Sequence, residues 1–369
     1  MEFYVPVRLL CGSEVVFRNA ERLQAFGKRC LIVTGGSAAK RSGAFGDAIR
    51  ALDSQGIAHT VYDKIQPNPT VASCLEAAEL GRDFGASFVL GIGGGSALDA
   101  SKAIAAFLTN PGLDEAGLYG LQWKKAAPIV LIGTTSGTGS EVTAVAVLTN
   151  CEGRKKSVKR DDLFASLALG DARYTETMPL SVTATTAVDA LSHCIESFCA
   201  KNASDLSRAY AIRGIRLLLP ALEGIRAGQV PDAAQRETLY HASILGGFAI
   251  AMTGTAAPHS LGYLLSEQFN VPHGFACGYF LPAFLRQVSS ADPALAAFFY
   301  DAIGTDEAAL TDQIAGLLPT QDFTLTDAQM RALLPRWTMQ VANIAKTPGV
   351  CDEQVIEGFL RSVFTITES

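Results

Sequence analysis

The chain of 369 residues holds only five histidines, at positions 59, 193, 241, 259 and 273, and three of them stand where they could ligate a metal. Asp189 and His193 lie four apart in VTATTAVDALSHCIESFCA (182–200), a spacing that puts both on one helix face. The neighbours on that face are small or apolar, an odd setting for an unpaired carboxylate. His259 lies in TAAPHSLGY and His273 in FNVPHGFACG, each behind a proline that fixes the local backbone. Three imidazoles and one carboxylate suit Fe2+ or Zn2+, with positions left open for a substrate. Taken singly, each residue has a plainer reading: the Asp189–His193 pair as a helix ion pair, the other two as loop or helix-end residues. His59, beside an expected strand, and His241, in an expected helix, are read as structural. Phe248, Thr253, Phe275 and Cys277 flank the ligands and are read first as core packing.

Two turns offer a different chemistry. In FVLGIGGGSALDASK (88–102) an apolar strand runs into Gly93, Gly94 and Gly95, then Ser96 and a helix. Backbone amides in such a turn can approach phosphate oxygens, and the following helix N-terminus favours an anion. Ser96 is expected to cap that helix, and Asp99 lies in its first turns. The second turn, GTTSGTGSEVT (133–143), follows the strand PIVLIG and carries Thr134, Thr135 and Thr138. Hydroxyls and glycines at the C-terminal end of a parallel strand suit a nucleotide's phosphates and ribose. A tight turn or a flexible polar loop would account for either alone; two in succession favour nucleotide binding.

These residues need a scaffold, and the first half of the chain supplies an alternating one. Arg29–Thr34, Ile57–Tyr62, Phe88–Ile92 and Pro128–Gly133 read as buried strands, with helices over Ala39–Ser54, Val71–Phe84 and Ser96–Leu108 between them. Continuous apolar strands alternating with helices imply a parallel sheet covered on both faces. Val145–Thr149, Lys155–Lys159 and Leu167–Leu169 read as further short strands. After about Thr177 helical periods take over: Val182–Ala200, Asp205–Arg226, Asp232–Met252, Pro282–Gln287, Pro293–Ile303, Glu307–Leu317, Asp327–Val341 and Asp352–Val363, with Ser204, Pro231 and Thr326 as start signals. The expectation is an α/β fold with a Rossmann-like dinucleotide-binding domain over 1–176 and an all-helical metal-binding domain over 177–369.

The net charge of −6 and the lack of a Lys/Arg block argue against a nucleic-acid partner. The densest basic stretch, Arg154–Arg160, is followed at once by Asp161 and Asp162 and reads as a solvated surface. No apolar run reaches about 18 residues, so no membrane span is expected. Eight scattered cysteines without a C-x-x-C pair, and a start that does not look like a signal peptide, point to reduced thiols in the cytoplasm.

Together these stretches resemble the iron-containing (group III) alcohol dehydrogenase family, whose relatives include the glycerol dehydrogenases. The resemblance covers nearly the whole chain. GIGGGSALDASK looks like the family's pyrophosphate turn, PNPT (67–70) its Asn-bearing cofactor loop, and TTSGTGSEVT (134–143) its second cofactor loop. VDALSHCIES (188–197) looks like the helix with the first two ligands, and His259 and His273, fourteen apart, match the last two. The resemblance implies an N-terminal dinucleotide-binding domain, a C-terminal helical domain in the plan shared with dehydroquinate synthases, a homodimer, and one divalent metal, Fe2+ or alternatively Zn2+, on Asp189, His193, His259 and His273. It implies cofactor contacts from Gly35, Gly36, Ser37, Asn68, Gly94, Gly95, Ser96, Asp99, Thr134, Thr135, Thr138 and Lys156.

Two departures from the family pattern matter. Many members carry a histidine four residues after the third ligand, where Tyr263 stands here; its unperturbed pKa of about 10 differs from a histidine's. NAD-preferring relatives often carry an Asp just after the strand LIVT, where this chain reads TGGSAAKRSG. Without that carboxylate, Ser37, Lys40 and Arg41 could meet a 2′-phosphate, so NADP(H) is expected over NAD(H). The expected reaction is hydride transfer between the nicotinamide and a small aldehyde or primary alcohol, with His259 on the metal and water, a ribose hydroxyl or Tyr263 as proton source. A phosphonoacetaldehyde reductase-like or glycerol dehydrogenase-like oxidoreductase is the nearer alternative, Lys156, Lys159 and Arg160 being the candidates to meet an anionic substrate. A dehydroquinate synthase-type lyase and a non-catalytic cofactor-binding protein are the rivals from other classes.

Overall fold

The computed structural model describes residues 3–338 and 341–368. The chain divides into two compact units. The α/β unit comprises Tyr4–Pro179 and Asp232–Tyr240; the helical unit comprises Leu180–Pro231 and the chain from His241 onward.

The α/β unit contains strands β1 (Arg8–Cys11), β2 (Arg29–Thr34), β3 (Ala58–Tyr62), β4 (Phe88–Gly93), β5 (Ile129–Gly133), β6 (Val145–Thr149), β7 (Lys155–Lys159) and β8 (Leu167–Gly170). Six form one parallel sheet in the order β1-β8-β5-β4-β2-β3; β6 and β7 pair antiparallel as a separate ribbon. Strand β4 is buried along its whole length, as is β2 after its first residue. Side-chain alternation sends Leu31, Val33, Val89 and Leu131 to one face and Cys30, Ile32, Phe88, Leu90 and Ile132 to the other. Helices α2 (Val71–Phe84) and α3 (Gly95–Thr109) fill the first face; α1 (Ala44–Ser54) fills the second. Such two-sided cover is what continuous apolar strands require. From β2 the chain steps outward to β3 and then returns to the other side of β2 as β4. Strand order therefore reverses at the C-terminal ends of β2 and β4, the place where open α/β sheets bind ligands.

Two local expectations are corrected by the structure, and one strand is additional. The helix expected over 39–54 is broken: a short turn of helix, Ala38–Arg41, stops at Ser42, and Gly43 at φ +86° precedes α1. Edge strand β1 was not foreseen; its RLLC is only partly buried and pairs β8. Ser96 is not the cap of α3: Gly94 takes the extended N-cap position, and Ser96 lies inside the first turn.

The helical unit is built around α4 (Leu180–Cys199), with α5 (Asp205–Arg226), α6 (Ala233–Thr253), α7 (Ala257–Gln268), α8 (His273–Gly278), α9 (Leu281–Ala291), α10 (Pro293–Ile303), α11 (Glu307–Ala315), α12 (Asp327–Leu333) and α13 (Glu353–Arg361). The first residues of α6, as far as Tyr240, cluster with the α/β unit. Ser204 and Thr326 cap α5 and α12 with reciprocal capping boxes, as their sequence suggests. Two strands expected from no pattern, β9 (Phe323–Thr326) and β10 (Phe364–Thr367), form a parallel pair in this otherwise helical unit. The helix expected over 327–341 ends at Leu333 and passes into a 3-10 turn, Leu334–Arg336; positions 339 and 340 lie outside the described residues. From Ala187 to Cys199 every residue of α4 is buried, so this helix is the core of the unit rather than an amphipathic cover. Among the described residues no helix is long and apolar enough to cross a membrane.

Candidate functional site

Buried helix α4 presents Asp189 and His193 one turn apart, with side chains 4% and 6% exposed. His259 projects from the first turn of α7, where Pro258 occupies an early position that needs no amide hydrogen. His273 is the first residue of α8. The residue after it must be glycine: a Cβ at Gly274 would stand 1.8 Å from the Thr185 carbonyl oxygen and 2.9 Å from Asp189 Cβ. Gly274 thus lets the start of α8 lie against α4, with His273 delivered to Asp189.

The three imidazoles face one carboxylate oxygen. The Nε2 atoms of His193, His259 and His273 lie 3.8, 3.5 and 3.9 Å from Asp189 Oδ1. Those distances are too long for hydrogen bonds. They approach the separation of donors sharing one ion, since ligand atoms about 2.1 Å from a metal stand about 3–3.5 Å apart. Asp189 Oδ1 and His259 Nε2 are buried and have no hydrogen-bond partner. Orphaned polar atoms of this kind cost about 1–3 kcal/mol each, and a cation between them would satisfy both. The donor set and its geometry therefore fit a divalent metal.

Charge follows the same convergence. Burial by itself raises the pKa of Asp189, but the facing imidazoles of His193, His259 and His273 outweigh it and hold the carboxyl well below the usual carboxylate range. For His259 burial acts to lower the pKa, and Cys277, Glu196 and Asp189 outweigh it and raise the ring well above its ordinary value. A divalent ion bound here would take the place of imidazolium charge, because ligating histidines must be neutral.

Behind His259 stands Glu196, fully buried on α4. Its Oε1 lies 2.5 Å from His259 Nδ1, and its Oε2 accepts the Ala256 amide at 2.6 Å, just before α7 begins. The carboxylate therefore fixes the imidazole with Nε2 free to face the ligand cluster and also satisfies a helix-start amide. On the other side, His273 is the exposed member of the set, its side chain 32% accessible. The ring of Tyr263, one turn after His259, stacks on His273 with centroids 5.8 Å apart and planes 21° apart. His59 lies on β3 of the α/β unit, and His241 is exposed on α6.

In the α/β unit the two glycine-bearing turns interlock. Strands β4 and β5 end in register, Gly93 opposite Gly133, and the Thr134 amide donates to the Gly93 carbonyl at 2.9 Å. A Cβ at Gly95 would stand 2.5 Å from Thr138 Cγ2, and one at Gly94 would stand 3.0 Å from Thr135 Cγ2. The threonines of the second turn thus fill the space that side chains would take in the first. The amides of Gly95 and Ser96 open α3, where no residue four places back can accept from them. Two buried hydroxyls at the strand ends, Thr34 Oγ1 and Ser136 Oγ, have no partner. Free amides and unpaired hydroxyls at a topological switch point fit the phosphates and hydroxyls of a dinucleotide.

The remaining expected cofactor residues divide. Gly35 and Gly36 follow β2, with Gly36 at φ +55°, and Ser37 accepts from the Arg41 guanidinium. Lys40 pairs with Asp63 at 3.2 Å. Asn68 is exposed, in a left-handed conformation, between β3 and α2. Asp99 is engaged inside the protein: one oxygen accepts from Ser140 Oγ at 2.6 Å and the other from the Val147 amide at 2.9 Å. Lys156 is exposed on β7, its ammonium 4.3 Å from the Tyr119 ring centre.

Comparison with known proteins decides the family. The sequence model of iron-containing alcohol dehydrogenases matches residues 6–172, and that of the C-terminal region of the Fe-containing family matches 183–320. The probable alcohol dehydrogenase EutG of Escherichia coli (strain K12) is 33% identical over 287 residues, 77% of this chain and 72% of that protein. The chain belongs to the iron-containing alcohol dehydrogenase family. Sulfoacetaldehyde reductase of Bilophila wadsworthia is 33% identical over 76% of this chain and 72% of its own. Among solved structures, an iron-containing alcohol dehydrogenase of Thermotoga maritima superposes with a TM-score of 0.90 at 29% identity, covering 98% of this chain and 99% of that one. Sulfoacetaldehyde reductase of Bifidobacterium kashiwanohense, in complex with NAD+, does so with 0.85 at 28% identity, over 98% of each chain. This member of the family is accordingly a metal- and nicotinamide-linked oxidoreductase of alcohols and aldehydes.

Sequence reasoning missed two groups in this alcohol dehydrogenase. Glu196 carries no local sign of its role, because its partner His259 is 63 residues away. Lys102 was passed over at the end of the glycine-rich stretch. It is fully buried on α3 and donates to Ser140 Oγ at 2.7 Å, Thr143 Oγ1 at 3.2 Å and the Val145 carbonyl at 2.8 Å, with Asp99 3.6 Å away. Burial lowers its pKa, against the pull of Asp99 and Glu141. A lysine three residues after an aspartate on one helix was the available signal, and it pins the second turn to the helix that follows the first.

Proposed function

We propose that this dehydrogenase reduces small aldehydes with NADPH at a centre made by Asp189, His193, His259 and His273. The observation that carries the reading is the approach of three imidazole Nε2 atoms to the unpaired Asp189 Oδ1. The bound ion, Fe2+ in this reading with Zn2+ the alternative, supplies Lewis acidity to a carbonyl oxygen, and the reduced nicotinamide supplies the hydride. The chain's own part is positional and electrostatic. Asp189 contributes the anionic ligand, and Glu196 holds His259 in the tautomer that leaves Nε2 free. The exposed edge of His273 leaves room for the substrate, and the Tyr263 phenol beside it is the proton donor for the developing alkoxide. Gly94, Gly95 and Ser96 hold the pyrophosphate through amides at the start of α3, and Thr134, Thr135, Thr138 and Asn68 complete the cofactor's surroundings.

Support for NADP(H) comes from the turn after β2. Gly35, Gly36 and Ser37 bring no carboxylate of their own to repel a 2′-phosphate, and Arg41 already reaches the Ser37 hydroxyl, whereas Lys40 is held by Asp63. A small neutral aldehyde is the preferred substrate. The relatives that reduce sulfoacetaldehyde favour an anionic one, but two of the three basic residues considered for it have structural work. Arg160 pairs with Asp162 and donates to the Trp123 carbonyl, and Lys156 lies over Tyr119. Eight free cysteines suit a cytoplasmic setting, and a homodimer is the assembly we infer from the family.

The test is metal analysis of freshly purified protein with NADPH and NADH titrations against an aldehyde panel. His259→Ala should lose metal and turnover together. Full turnover by that variant without metal would refute the reading.

A further inference from the structure

Cys277 lies one turn beyond His273 on α8, so both side chains fall on the same helix face, the arrangement Asp189 and His193 have on α4. Its thiol is fully buried. The Sγ atom is 3.8 Å from His273 Nδ1 and 4.0 Å from Nε2. One donor atom from each of Asp189, His259, His273 and Cys277 lies within 4.8 Å of every other. Sulfur at about 2.3 Å and nitrogen at about 2.0 Å from a shared ion stand about 3.5 Å apart. The Sγ–His273 separations of 3.8 and 4.0 Å are a few tenths of an ångström longer than that, and the other donor pairs of the group stay within 4.8 Å. The unpaired, buried Asp189 Oδ1 and His259 Nε2 belong to this same group, so the sulfur adjoins atoms that already lack partners.

We propose that Cys277 is a further ligand of the metal, its thiolate joining Asp189, His193, His259 and His273 so that the centre is a mixed nitrogen, oxygen and sulfur site. This rests on the metal reading given above. As the Sγ–metal bond forms, the thiol proton leaves to solvent and no electron changes hands. Carboxylate and thiolate together carry two negative charges against the ion's two positive ones, where three histidines and one carboxylate would leave a net positive centre. Sulfur also makes the site softer and favours Zn2+ over hard ions such as Mg2+ or Mn2+. A buried cysteine is ordinarily a small apolar filler; here its place one turn from His273 and against the other donors gives it a second use.

X-ray absorption of the Zn2+-loaded wild-type protein tests this without any substitution. One sulfur neighbour at about 2.3 Å beside nitrogen and oxygen is expected. The Co2+-loaded protein should show a thiolate-to-cobalt charge-transfer band in the near ultraviolet, lost in Cys277→Ser and Cys277→Ala, with thermal unfolding confirming that both variants fold. A shell of nitrogen and oxygen alone in the wild type, or a band that survives both substitutions, overturns the assignment of Cys277 and leaves the four-residue metal reading standing. Protein that takes up no metal overturns both.

Discussion

Replacing Glu196 by glutamine should weaken metal binding through an atom that never touches the metal. The native carboxylate accepts twice, from His259 Nδ1 at 2.5 Å and from the Ala256 amide at 2.6 Å, and it is fully buried. Glutamine of the same shape offers one acceptor and one NH2 group. If its NH2 faces Ala256, two donors oppose each other and a buried N–H goes unsatisfied, at about 1–3 kcal/mol. If its NH2 faces His259, the imidazole escapes the clash only by moving its proton to Nε2, the atom needed to meet the metal. Either orientation costs affinity, and outer-sphere partners of ligating histidines are worth about 10–100-fold in metal binding. Competition between Glu196→Gln protein and a chelator of known affinity reads that factor directly. Thermal unfolding with and without metal gives a second measure: a 100-fold weaker site loses up to about 2.7 kcal/mol of metal-induced stabilisation at saturating wild-type conditions. Metal affinity within about twofold of wild type, well short of the expected range, would refute the claim that Glu196 sets the tautomer of His259.

Other substitutions test the remaining parts. Gly95→Ala places a methyl 2.5 Å from Thr138 Cγ2, so the two cofactor turns must part; cofactor affinity measured by fluorescence titration should fall about tenfold or more, an overpacking effect of about 1–3 kcal/mol. Ser37→Asp restores a carboxylate after β2 and should shift the ratio of kcat/KM for NADPH over NADH towards NADH by about tenfold or more, by repulsion of the 2′-phosphate; an unchanged ratio would rule out this turn as the selector. Lys102→Met removes a fully buried cation and leaves Asp99 without its ion-pair partner, so chemical denaturation should show a loss of about 3–5 kcal/mol. Tyr263→Phe keeps the ring stacked on His273 but removes the proton donor, so kcat should fall about 100-fold or more with metal content unchanged; wild-type turnover would return the proton to water or a ribose hydroxyl.

How much of this was legible before folding depends on where each residue's partner lies. Strands β2, β4 and β5 were readable because a parallel strand covered on both faces must be apolar throughout, and the turns after them because glycine and threonine follow at once. Strand β1 escaped because an edge strand is only half covered, and β9 and β10 because four residues each are too few to set a period. Helices α7 and α8 were hidden by Pro258, Pro272 and Gly274, residues that read as loop but serve as helix starts and a close approach. The metal ligands themselves could be picked out, two by helical spacing and two by motif, yet spacing could not say that they meet. That depends on contacts from Asp189 to His259, 70 residues on, and to His273, 84 residues on, which only the packing of α7 and α8 on α4 supplies. Cys277 differs from Glu196 in this respect. Its four-residue spacing from His273 was as visible as that of Asp189 and His193, and the same rule that paired those two would have put its sulfur beside the site. With its sulfur 3.8 Å from His273 Nδ1, this thiol stands as a donor candidate at ligand spacing as well as a core filler.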